Sequence, residues 1–283
     1  VRRWAAGIAW AVLVPAAGSL GVVPQSSPSP ARPSARSLLD SAEALESALV
    51  EGRYRDARRL LQAAAESGRS PVPGEASLIA RAAVEMRDWE RAAALEPDRV
   101  PDGDRGSTWF AWGLAHARLA WPGARSHHTT RARQAAAVLD EMASRHGRST
   151  RTEVRHLAVR AAIAAAEEER DEMAVILGRA RTVDDLLVQA GLGADPVMAL
   201  PELEGDLWLQ VSRFRDAADA YRRALAQPGP ARPRVWLGLA RAHARLDAAA
   251  DARAAAREAA ALWHRADPDL AELAELRVLV WGR

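Results

Sequence analysis

Three arginines, Arg234, Arg241 and Arg245, are spaced 7 and 4 apart. On a helix that spacing keeps their side chains within one narrow arc. Planar guanidiniums on one stripe can fork onto carboxylates, so the chemistry they offer is recognition of an acidic segment. Glu202 and Asp206 also share a helix face. They permit two roles. They can neutralise the arginine stripe as an exposed network worth little. Alternatively, if burial holds a proton on one of them, they form an acid–base pair.

The other chemistry-bearing residues point to no site. His127 and His128 are adjacent, but no Asp, Glu or Cys lies beside them at ligand spacing, and a solvated loop is expected. Asp102-Gly103-Asp104-Arg105-Gly106 begins like a calcium loop. The acid that would close such a loop is absent, because residue 113 is Gly, so the segment reads as a turn. No His-Glu-x-x-His, Gly-x-Ser-x-Gly or dinucleotide fingerprint occurs. The chain has no Cys, which excludes disulfides, thiolate metal sites and Cys nucleophiles. All 39 basic residues are Arg, which excludes a phosphate loop with its usual Lys and a Schiff-base Lys. No catalytic residue, metal or cofactor is expected. The pI near 9.8 reflects Arg in place of Lys. With 37 acids interleaved and a net charge of only +2, nucleic acid is not the expected partner.

The elements that must carry these residues are helices. Alanine supplies 65 of the 283 residues, while aromatics are 5 %. Alanine is the strongest helix former and lets helix axes approach closely. The segment 203–225 reads LEGDLWLQVSRFRDAADAYRRAL. Gly205, Trp208 and Val211 mark one helix, Phe214, Ala217, Tyr221 and Ala224 a second, and Ser212-Arg213 the turn between them. The next unit has Trp236, Leu239, Ala240, His243 and Leu246, then Ala252, Ala256 and Ala259. Gly205 to Ala240 and Ala217 to Ala252 are each 35 residues. Gly52, Tyr54, Ala57, Leu61 and Ala64 form an earlier turn and second helix. Trp89 and Ala92 follow Tyr54 and Ala57 by 35. Trp109, Trp112, Gly113, His116 and Leu119 repeat the first-helix marks.

These marks resemble the tetratricopeptide repeat, whose period is 34. The resemblance covers most of residues 37 to 283. It is specific in 203–265, moderate in 41–119 and weak in 130–195. It implies an all-α fold: a right-handed superhelix of stacked antiparallel helix pairs, about five to six pairs plus a C-terminal capping helix. Ser37 would open the first helix, with Asp40 as its capping partner. A helix is expected from about 131 to 145 after a polar insertion at 122–130, and another Ala-rich pair over 151–181. Asp267-Pro268 would start the final helix, with Leu270, Leu273, Leu276 and Leu279 on its apolar face.

The resemblance also implies binding of an extended segment in a concave groove lined by the first helices. Trp236, Leu239 and His243 point inward in that reading, leaving Arg234, Arg241 and Arg245 on the opposite stripe. Glu202 and Asp206 occupy the matching stripe one repeat earlier. Phe110, between the core residues Trp109 and Trp112, falls on the corresponding stripe and offers an apolar anchor. Glu66-Ser67-Gly68 invites comparison with the catalytic Glu-Ser of lytic transglycosylases, but the Gly-Leu-Met-Gln segment expected downstream is missing.

Ahead of the helical body, Arg2 and Arg3 precede an uncharged stretch from Trp4 to Val23. Residues 1–23 read as a secretory signal peptide or as a membrane anchor. Residues 24–36, PQSSPSPARPSAR, read as a Pro/Ser-rich linker. The expectation is an exported, non-catalytic scaffold, periplasmic or anchored facing the periplasm, that holds a protein or peptide segment with acidic character. A helical-superhelix enzyme acting on envelope polymers, and a cytosolic adaptor, are the alternatives.

Overall fold

Alanine-rich helices need small side chains where they cross and firm stops where they turn, and this chain supplies both. The computed structural model describes residues 35–66, 74–121, 126–145, 150–229 and 232–282. Every regular element among the described residues is helical. Six helix pairs follow one another. They are α1 (Ala35–Val50) with α2 (Tyr54–Glu66), α3 (Glu75–Glu85) with α4 (Trp89–Ala93), and α5 (Asp102–Ala120) with α6 (Ser126–Arg145). Then come α7 (Arg151–Ala166) with α8 (Arg170–Gln189), α9 (Leu200–Gln210) with α10 (Phe214–Ala226), and α11 (Pro233–Arg245) with α12 (Ala249–Leu262). A single helix, α13 (Ala271–Trp281), follows. Helices of a pair pack on each other, and α12 packs on α13.

Five of the six pairs turn in the same way. Gly52, Arg87, Glu168, Ser212 and Asp247 each adopt positive φ, between 54° and 72°. The next residue's N–H then donates to the carbonyl five positions back. These bonds are Arg53 to Ala48, Asp88 to Ala83, Glu169 to Ala164, Arg213 to Trp208 and Ala248 to His243, at 2.8–3.0 Å. This is the Schellman termination, which satisfies carbonyls that the helix end would otherwise leave free. Gly52 to Arg87 and Ser212 to Asp247 are each 35 residues. Four of the five left-handed positions carry a side chain, and each must bear a steric cost that glycine avoids.

Two glycines set the closest helix approach. Tyr221 on α10 is fully buried and lies between Gly205 on α9 and Gly238 on α11. A Cβ at Gly205 would stand 2.6 Å from the ring, and one at Gly238 2.3 Å. Gly113 of α5 similarly faces Ala135 and Val159 of the next two helices.

The two ends of the described body meet. Asp267 N–H donates to the Gly52 carbonyl at 3.1 Å, and Arg55 N–H donates to Asp267 Oδ2 at 2.7 Å. Arg55 also pairs with Asp269 at 2.8 Å. Trp263 and Ala266 sit against Gly52, and Leu270 packs on the first pair. In an open repeat array each unit touches only its neighbours. Here the first pair touches the last.

Several local expectations are corrected. The first helix begins at Ala35, so Ser37 lies inside it. Asp102–Gly106, read as a free-standing turn, is the first turn of helix α5. Asp104 there accepts from Gly74 N–H at 3.0 Å and Ser77 Oγ at 2.6 Å. The helix expected from 131 begins at Ser126, which places His127 and His128 in its first turn. The final helix starts at Ala271, because Asp267 is held by the Gly52 turn. The segment 1–23 and nearly all of 24–36 lie outside the described residues.

Glu168 is exposed at its left-handed turn. Glu168→Gly is expected to stabilise the chain by about 0.5–1 kcal/mol, the steric relief less the extra chain entropy of glycine. Gly238→Ala is expected to destabilise it by about 2–3 kcal/mol through overpacking on Tyr221. Denaturant midpoints of the two variants check both signs.

Candidate functional site

Among the described residues, a cluster of buried and half-buried charges lies where α3, α9, α11 and α13 are linked by ion pairs. Its centre is Arg87. From the left-handed turn after α3 this side chain reaches α9. One guanidinium nitrogen of Arg87 lies 2.8 Å from Asp206 Oδ2 and 3.3 Å from Glu202 Oε1. The other nitrogen approaches Met198 Sδ at 3.7 Å. The guanidinium also lies 5.5 Å from the Trp89 ring centre.

Both carboxylates are engaged on their second oxygens too. Tyr221 Oη donates to Asp206 Oδ1 at 2.7 Å, and Arg232 donates to Glu202 Oε2 at 3.3 Å. Glu202 is buried. Burial, reinforced by Glu85, pushes its carboxyl up to about 7, against the pull of Arg87 and Arg232. The expected coupling of Glu202 and Asp206 to the arginine stripe is therefore redirected, since their partners are Arg87 and Arg232.

The stripe itself is answered by the C-terminal helix. Arg241 forms a two-pronged pair with Glu275, at 2.8 and 2.6 Å. Arg234 donates to Glu272 at 2.6 Å and lies 3.6 Å from Glu85. Arg234 is buried, with Tyr54 and Trp263 rings 5.4 and 5.6 Å from its guanidinium. It does not line an open groove. Arg245 remains exposed and stacks on Phe214 at 4.5 Å. The three residues share a stripe, as their spacing demands, yet each has a different environment.

Phe110 is a correction. It is 2 % exposed and lies under the Arg155 guanidinium, 5.9 Å away, so it offers no anchor to a partner. Arg155 is itself fixed by Asp195, at 2.6 Å. Trp109 and Trp112 are core residues, packed edge to face with ring centres 5.2 Å apart.

The histidines also differ from expectation. His128 reaches back to α5, where its Nδ1 lies 2.7 Å from His116 Nδ1. Burial, the neighbouring His128 and Arg131 push His116 down to about 4, so it stays neutral. Among the described residues no group of three His, Cys, Asp or Glu is arranged to hold a metal.

A narrow cleft opens beside Arg87, walled by Trp89, Leu114, Ala117, Ala162, Leu203 and Leu207, with Arg118, Asp206 and Gln210 as its polar residues. Arg118 donates to the neutral Gln210 Oε1. Burial holds its guanidinium below the ordinary value, and Arg87 and Arg241 add to this, while Asp206 offsets only part.

Sequence reasoning missed Arg87 and Arg118. For Arg87 a signal existed: it stands 35 residues after Gly52, at the turn position. The position alone does not single it out, because Glu168, Ser212 and Asp247 also carry side chains at the same left-handed turn. Arg118 carried no comparable signal. No protein-family model, curated protein or solved structure matches this chain. Among the described residues no helix is long and apolar enough to cross a membrane.

The raised Glu202 carboxyl makes stability depend on pH. With a folded value near 7 and an unfolded value in the usual carboxylate range, the folded chain binds more protons between roughly pH 4.5 and 7. Stability from this group is therefore lost as pH rises through that window. Glu202→Gln is expected to gain on the parent by about 2 kcal/mol between pH 5 and pH 8. Urea unfolding at both pH values measures that difference, and a constant gap overturns the assignment.

Proposed function

We propose that this chain is a non-catalytic interaction scaffold of the tetratricopeptide kind, a right-handed superhelix of stacked helix pairs exported by its N-terminal segment. The observation that carries the reading is the repeated turn. Five pairs end their first helix with one residue in the left-handed conformation and the same backbone bond, twice at a spacing of 35. A chain that reuses one turn is built by repetition, and repeat arrays serve mainly as binding surfaces. The partner in this reading is an acidic protein or peptide segment on the α11 arginine face. The fork of Arg241 on Glu275 supports that chemistry, because it is how a guanidinium takes a partner carboxylate. Arg245, still exposed, extends the face. A partner segment must compete there with Glu272 and Glu275 of α13.

Capture from envelope extracts on the tagged full chain tests this reading. Arg241→Glu with Arg245→Glu is expected to reduce specific recovery by about tenfold or more, and Glu275→Ala to increase it. Recovery unaffected by all three changes overturns the face. Periplasmic activity of a fused reporter supports export, and cytoplasmic activity favours the adaptor alternative.

A second reading, an enzyme acting on envelope polymers, is favoured by one observation. Glu202 is pushed up to about 7 beside Asp206, as an acid–base pair requires. Turnover of peptidoglycan that disappears in Glu202→Gln establishes it. Absence of turnover in the parent chain rejects it.

A further inference from the structure

Asp184 on α8 is the exception among the buried acids. Asp104 accepts from Ser77, while Glu153, Asp195, Glu202 and Glu204 are paired with Arg179, Arg155, Arg87 and Arg223 in turn. Asp184 is 6 % exposed and has neither a hydrogen bond nor an ion pair among the described residues. A carboxylate taken out of water without a partner is costly, so such a group tends to hold its proton. Burial pushes the Asp184 carboxyl up to about 6, Asp185 and Asp195 add to this, and Arg151 offsets part of it. Arg151, at the start of α7, is the converse case. It has no carboxylate partner among the described residues, and its fork is taken up by two neutral carbonyls. One nitrogen donates to Ala194 O at 2.7 Å, the other to Leu192 O at 2.5 Å.

Those carbonyls belong to the connection from α8 to α9. Its outer half, residues 190–194, runs over the surface and turns through Gly191 and Gly193, left-handed at φ 79° and 64°. Arg151 is the side chain that holds this half. The inner half, residues 195–199, is fixed separately: Asp195 pairs with Arg155 at 2.6 Å and accepts from Val197 N–H at 2.9 Å. The other charges that face α8 are matched as well, Glu153 of α7 by Arg179 and Glu204 of α9 by Arg181 and Arg223. Arg151 is therefore the cation left for an ionised Asp184. A guanidinium bond to a carboxylate is roughly twice as strong as one between neutral groups, so the two carbonyls lose that competition. We propose that Asp184 and Arg151 form a proton-operated latch on the outer half of this connection. With Asp184 neutral, Arg151 holds the carbonyls of Leu192 and Ala194. With Asp184 ionised, Arg151 turns to it and residues 190–194 come free. The latch is independent of the scaffold reading, because it needs neither the α11 face nor an exported location.

Amide hydrogen exchange of the full-length chain at about pH 5 and about pH 7.5 tests the inference. The reporting amide is Leu192 N–H, bonded to the Leu187 carbonyl at 3.0 Å. After correction for the intrinsic rate, residues 190–194 are expected to exchange about tenfold faster at the higher pH. A held carboxyl near 6 and a freed one near the usual 4 give that ratio. Residues 195–199 are expected to keep their protection at both. Asp184→Asn is expected to keep 190–194 slow at both pH values, and Arg151→Met to make it fast at both. The Asn change is isosteric, so it decides the matter even where the Met variant fails to fold. Equal protection of 190–194 at the two pH values in the parent chain overturns the latch. So does a pH dependence that persists in Asp184→Asn, or acceleration spread evenly over the whole chain. Glu202 titrates in the same range, so Glu202→Gln is the control. A dependence that disappears there and survives in Asp184→Asn belongs to Glu202 and also overturns the latch.

Discussion

The bridge from Arg87 to Glu202 and Asp206 ties together parts of the chain that no repeat logic would join. It links the turn of the second helix pair to the first helix of the fifth. Around it, Tyr221 is held through Asp206, and Arg232 through Glu202. Arg234 carries the connection from Glu85 to α13. Removing a single partner would strand a buried charge, which costs far more than the pair contributes. The network is therefore better understood as fixing which helices face one another than as a reservoir of stability.

Close helix packing makes this polar centre possible. Alanine at the crossings and glycine beside Tyr221 let α9, α10 and α11 approach until long arginine side chains can span them. The arginines bring broad, flat charge to places where the alanine side chains provide little bulk. Phe110 illustrates the mixture: its ring belongs to the main apolar core and also has the Arg155 guanidinium 5.9 Å from its centre.

What was legible in the chain followed local rules. The helical class came from alanine-rich composition and spacing, the Ser212-Arg213 turn from spacing, and the core roles of Trp109 and Trp112 from the motif they resemble, and all of these are properties of near neighbours. The start of α6 was read five residues late, because a polar, His-rich first turn looks like loop until His128 finds His116. The arginine stripe was placed correctly on one face, but its partners were not. Glu272 and Glu275 lie 38 and 34 residues beyond Arg234 and Arg241, the arginines they answer, and their arrival depends on the path of α12 and the turn at 263–270. Phe110 failed for the same reason, since its cover comes from a different pair. Charge pairing across a folded path has no periodicity to read.

The meeting of Gly52 with Asp267 changes how such a body should come apart. Linear arrays fray from their ends, because a terminal unit is held on one side only. Here the Arg55 backbone is bonded to a side chain 212 positions away. Contacts of that sequence separation form late, since the intervening chain must first be ordered. Once formed, they deny either end its independent opening. The first pair and the last helix then belong to one cooperative unit, and loosening either exposes both.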